Sequence, residues 1–70
     1  MNLLKSVDQN FCEIEGILKA ETEKAILFDN GDVQAWIPRS QIESIHHDSA
    51  NFLSVTIIIP EWLAEAKDLI

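Results

Sequence analysis

Alternation of apolar and polar positions with a period of two governs most of this chain. Over residues 11–20, Cys12, Ile14, Gly16, Leu18 and Ala20 fall on one face, and Glu13, Glu15 and Lys19 fall on the other. Ile17 is the exception. Such alternation predicts a half-buried strand, because successive side chains of a strand point to opposite faces. Gly16 inside it suggests a bend or a bulge. The strongest signal follows. Two apolar runs, residues 24–29 and 32–37, flank Asn30-Gly31. Asn-Gly between apolar runs predicts a hairpin with a two-residue type I′ turn, both of whose residues need φ > 0. That turn makes the numbers of facing residues sum to about 61, the sum that Asn30 and Gly31 themselves give. Phe28 would then face Val33, and Ile26 would face Ala35, on one apolar face. The opposite face would pair Leu27 with Gln34, Ala25 with Trp36 and Asp29 with Asp32.

Pro38 cannot donate to a ladder and ends this strand. Arg39-Ser40-Gln41 predicts a turn or a short 3₁₀ segment. Residues 41–47 predict a fourth strand of poor alternation, since Ile42 and Ile45 differ in parity. Residues 48–51 carry loop chemistry. Residues 52–59 predict a β-branched strand with Leu53, Val55, Ile57 and Ile59 on one face. Pro60 suits the first position of a helix over residues 60–69, on which Trp62, Leu63, Ala66, Leu69 and Ile70 recur at helical spacing. A helix that short does not persist alone in water, so it must dock on its own sheet or on a partner. The expected fold class is mainly β (α+β). It is a small bent five-stranded antiparallel sheet or partly open barrel with a C-terminal α-helix. Residues 1–10 read as an N-terminal arm and residues 11–70 as one domain.

Composition narrows the function. With 70 residues there is room for one core. A 47% apolar content excludes a disordered acidic tail. Five basic against twelve acidic side chains give a net charge of −7, which argues against a phosphate-backbone binder and makes nucleic acid an unfavoured partner. The single cysteine, Cys12, forms no intrachain disulfide and points to a reducing, cytoplasmic setting. No apolar run approaches the roughly 20 residues of a membrane span, so no membrane partner is expected. A core this small gives about 3–5 kcal/mol, which favours completion by a protein partner or a second copy as a homodimer.

The candidate chemistry is sparse. His46-His47-Asp48 has the residue types of a metal site, but neighbouring strand residues point to opposite faces, so no metal is expected. Cys12 beside Glu13 and Glu15 would have a raised thiol pKa, against a nucleophile. No Ser/His/Asp set or phosphate loop is present, so no catalytic residue and no cofactor is expected. The candidate partner-binding residues are Trp36, Leu27, Gln34, Arg39, Glu13 and Glu15. Trp36 lies off the core face, where it either packs under Trp62 or stands exposed as an anchor. Glu13 and Glu15 make either a solvated face or an acidic docking patch.

Two resemblances follow. Residues 35–43, Ala-Trp-Ile-Pro-Arg-Ser-Gln-Ile-Glu after a hairpin, resemble the passage of Src-homology-3 domains in which a strand ends at Pro and a 3₁₀ turn follows. That resemblance implies a barrel. It does not extend to proline-motif binding, since the chain has no Tyr and no aromatic-rich early loop. The set Glu21-Thr22-Glu23-Lys24-Ala25, then residues 36–42, then residues 59–64 is similar to short proteins of phages and prophages. This implies a mobile-element setting. The expected function is a small non-enzymatic protein-binding module. The alternatives are an acidic, anti-CRISPR-like inhibitor that occupies a basic nucleic-acid groove of a host defence complex, and a nucleic-acid accessory barrel.

Overall fold

The structure, a computed structural model, describes residues 10–70. All of the expected N-terminal arm except Asn10 lies outside the described residues. Five strands follow in order: β1 (Phe11–Glu21), β2 (Ala25–Asp29), β3 (Gln34–Pro38), β4 (Ser44–His47) and β5 (Ser54–Pro60). A 3₁₀ turn (Arg39–Gln41) joins β3 to β4, and the helix α1 (Glu61–Ala66) closes the chain. The strands form one antiparallel sheet, order β3-β2-β1-β5-β4, which is not closed into a barrel. The expected fold class is therefore borne out.

The long strand β1 organises the sheet. Its first half, Phe11 to Ile17, pairs with β5, and its second half, Ile17 to Glu21, pairs with β2. Ile17 alone belongs to both ladders, facing Ser54 on one side and Asp29 on the other. Gly16 sits beside this handover. A Cβ there would lie 2.3 Å from the Asp29 carbonyl oxygen and 2.6 Å from Phe28 Cζ. The glycine therefore serves a close approach, and the bulge is elsewhere, between Leu18 and Ala20, where the register shifts. That extra residue, Lys19, inverts the parity beyond it. Ala20 consequently turns to solvent, against the expected inward face.

The β2–β3 register also differs from expectation. Ile26 pairs with Ile37, Leu27 with Trp36, Phe28 with Ala35 and Asp29 with Gln34. The turn centre is Gly31-Asp32, one residue later than expected. Asn30 does not take φ > 0. Gly31 does, at 103°. Asn30 instead uses its side chain: Oδ1 accepts from the Asp32 and Val33 amides, both at 2.9 Å. That is an Asx turn, a local alternative to the backbone turn. Each residue now faces a partner two positions along, an even shift, so the same side chains still point inward.

Ile14, Leu18, Ile26, Phe28, Ile37, Val55, Ile57 and Ile59 form the core with Leu63, Ala64 and Leu69 of the C-terminal segment. Strand β4 starts at Ser44, later than expected. Ile42 is the extended residue that ends the 3₁₀ turn, so its parity is independent of Ile45, and both pack against the core. Strand β5 likewise starts later. Leu53 belongs to the preceding turn and is 53% exposed, against the expected core position.

Pro60 is the extended last residue of β5 and caps α1 rather than opening it. The helix is also shorter than expected, because Asp68 adopts φ 61°. The Asp68 amide donates to the Glu65 carbonyl (3.1 Å) and the Leu69 amide to the Ala64 carbonyl (2.8 Å), the paired bonds of a Schellman ending. Leu69 is thereby turned into the core, and its carbonyl accepts from Asn30 Nδ2 at 3.4 Å. A left-handed residue other than Gly costs roughly 1 kcal/mol. Asp68→Gly is expected to raise stability by about 0.5–1 kcal/mol. A urea midpoint equal to or below that of the wild type is the contrary result.

Candidate docking surfaces

The candidate residues fall into two groups that the fold keeps apart. The first group lies on the outer face of β2 and β3. The bonds from the Arg39 amide to the Lys24 carbonyl (2.8 Å) and from the Asn30 amide to the Val33 carbonyl (3.1 Å) fix the ladder. Trp36 and Leu27 are then a non-hydrogen-bonded pair, the closer kind, in which side chains meet most directly. Trp36 is 45% exposed and Leu27 is half-buried. Leu27 also pairs with exposed Ala20 of β1, so Trp36, Leu27 and Ala20 run across three strands. Gln34 sits in the next row and donates from Nε2 to Asp29 Oδ2 at 3.2 Å. The expected Asp29–Asp32 pair is not formed.

Arg39 is placed beside this face but is engaged inward. Its Nε donates to the Thr22 carbonyl (3.1 Å) and its Nη2 to Glu21 Oε1 (2.5 Å). It thus ties the start of the 3₁₀ turn to the loop between β1 and β2. Nothing in the local sequence pairs Arg39 with Glu21, 18 positions away.

The second group is Glu13 and Glu15, exposed on the half of β1 that pairs with β5. Two outer rows cross this half. One holds Glu13, Ile58 and Ser44, and the other holds Glu15, Thr56 and His46. The carboxylates therefore flank β5 and β4, while Trp36 lies across β2 from the other half of β1. Among the described residues the only ion pair is Arg39–Glu21, so no described cation pairs with Glu13 or Glu15.

The histidines serve the adjoining hairpin. His47 stacks on Phe52, with ring centroids 3.8 Å apart and planes at 7°, and its Nδ1 lies 2.8 Å from the Phe52 carbonyl oxygen. Sequence reasoning missed Phe52, although the Asp48–Asn51 turn folds it back toward His47. A shallow groove beside them is lined by Glu15, His46, Asp48 and Thr56. Among the described residues no three His, Cys, Asp or Glu side chains converge on a position for a metal ion. Cys12 pairs with Ile59 and packs against the core. Burial pushes its thiol pKa up, and Glu61 and Glu65 of α1 add to the rise. The expected cause, Glu13 and Glu15, is not the operative one, since both point to the other face. No helix among the described residues is long and apolar enough to cross a membrane.

Trp36 does not pack under Trp62. The helix lies against β5 and β1, and Trp62 is itself 54% exposed.

No family model, curated protein or solved structure matches the chain. The functional reading therefore rests on these surfaces alone.

Proposed function

We propose that the protein is a small non-enzymatic binding module that docks a protein partner on the outer face of the β2–β3 hairpin. One observation carries this reading: Trp36 stands nearly half exposed, opposite Leu27, on a strand with no charged residue. A large aromatic with an apolar neighbour and a polar rim, here Gln34 and Asp29, is the composition of an interface hot spot. Trp36→Ala is expected to leave the far-ultraviolet circular dichroism unchanged and to reduce capture of the partner by tenfold or more in pull-downs from the native host. Loss of the folded spectrum in this variant would make Trp36 a structural residue and end the reading.

A second reading is favoured by Glu13 and Glu15, which no described cation pairs, together with the net charge of −7. In it, the acidic half of the sheet occupies a basic, nucleic-acid-binding groove on a host defence complex, the role of an inhibitor carried by a mobile element. The same pull-down separates the two. Capture through Trp36 survives raised salt, whereas capture through exposed carboxylates falls steeply as the Debye length shortens. A nucleic-acid accessory role has less support: the described outer face offers no row of basic side chains, and Arg39 is held by Glu21.

A further inference from the structure

We propose that the free edge of β3 pairs with the same edge of a second copy of this chain, in an antiparallel register centred on Trp36. The inference builds on the docking reading, because such pairing sets two Trp36 side chains side by side on one continuous outer face. It begins with the backbone. The amides and carbonyls of Val33, Ala35, Ile37 and Arg39 face β2 in the observed register, so those of Gln34 and Trp36 point away from the sheet. β3 is an edge strand, and among the described residues no strand lies beside its outward groups. A two-fold axis at Trp36 lets each copy's Trp36 exchange both backbone bonds with its twin. The Gln34 amide then reaches the carbonyl of the partner subunit's Pro38. Pro38 lacks an N–H, and in this register the missing donor leaves only the Gln34 carbonyl at the solvent-exposed end of the ladder.

Charge selects a second copy as the occupant. Residues 34–38 carry no charge in a chain of net charge −7, so this is where two copies approach with least repulsion. The strand is bounded by Asp32 on one side and Arg39 on the other. Antiparallel pairing about Trp36 brings Asp32 of each copy toward the partner subunit's Arg39, a cation already paired with Glu21, so no two unpaired carboxylates are set opposite each other at either end. The other edge, β4, has the reverse property. It is bounded by Glu43 and Asp48, and two-fold pairing there brings like charges together at both ends. Four residues long, β4 also offers less ladder than β3.

The test is the solution mass of the purified protein alone, by light scattering at high micromolar concentration. The wild type is expected at twice the mass of one chain. Gln34→Pro removes an outward amide together with the exposed side-chain bond to Asp29, and Trp36→Lys puts a cation on the axis. Both are expected at the single-chain mass with unchanged circular dichroism. His47→Pro, which removes an outward amide of the β4 edge, is expected to stay double. A single-chain wild type overturns the proposal, as does a folded Gln34→Pro that stays double. If Gln34→Pro does not fold, a folded Trp36→Lys of double mass overturns it equally. No docking partner is present in this measurement, so its failure is distinct from failure of the docking reading. A monomer that still captures a protein through Trp36 loses the dimer and keeps the module.

Discussion

Phe28→Ala is expected to leave the protein without a cooperative unfolding transition at 25 °C. Phe28 is among the largest fully buried side chains, with no exposed surface, at the point where β2 crosses the middle of the core. Removing a buried phenylalanine ring costs about 3–5 kcal/mol, as lost transfer energy plus the cavity that remains. A core of this size supplies about 3–5 kcal/mol in all. The loss thus equals the whole stability rather than a fraction of it. The cavity would not collapse easily, since the ring lies against the Gly16 backbone and is bracketed by two sheet ladders. Circular dichroism during heating checks this. Each kcal/mol moves the midpoint of a domain this small by about 4–8 °C, so a fall of less than about 10 °C would contradict the assignment. Trp36→Ala serves as the reference, because it removes a larger side chain from an exposed position and should leave the midpoint nearly unchanged.

That contrast was legible in the sequence, and the reason is parity. Ile26, Phe28 and Ile37 on one face and Trp36 on the other follow from alternation alone, and an even register error leaves the faces intact. Hence alternation places Phe28 in the core although the turn predicts Val33 as its partner and the partner is Ala35. Parity fails where a residue is inserted or the strand stops. Lys19 turns Ala20 outward through a bulge, and Leu53 lies in a turn ahead of β5. Both depend on hydrogen bonds to distant strands, such as that from the Leu18 amide to the Leu53 carbonyl at 2.8 Å. The end of α1 was hidden for another reason. Asp68 takes a left-handed conformation that usually marks a glycine, so no residue type announced it.

The docking surface was legible residue by residue but not as a surface. The position of Trp36, Glu13 and Glu15 off the core face follows from alternation, which left Trp36 either exposed or packed under Trp62. Their separation does not, because it comes from sheet order: β1 gives its first half to β5 and its second half to β2. No local pattern encodes which strand a half-strand will choose. Arg39 shows the same limit. Its charge was visible, but its capture by Glu21 and the Thr22 carbonyl required the loop between β1 and β2 to fold back on the 3₁₀ turn.

Gly16→Ala is the second substitution expected to remove most of the stability, and it does so by adding one carbon rather than deleting a ring. The new Cβ would meet the Asp29 carbonyl oxygen at 2.3 Å and Phe28 Cζ at 2.6 Å, distances at which something must shift. The phenylalanine ring has nowhere to go in a packed core. The carbonyl belongs to the β1–β2 ladder, in which Asp29 pairs with Ile17, the residue after the glycine. Relief therefore requires β1 and β2 to separate at the place where β1 passes from one partner to the other. Overpacking costs about 1–3 kcal/mol where side chains alone must move. Backbone displacement places this case at or above the top of that range, against a total of about 3–5 kcal/mol. A combined Gly16→Ala and Phe28→Leu variant identifies the cause. Trimming the ring relieves one contact but not the carbonyl, so the pair is expected to recover only part of the loss. Full recovery would locate the whole cost in the ring, and a single Gly16→Ala variant as stable as the wild type would mean that β1 and β2 are not this close.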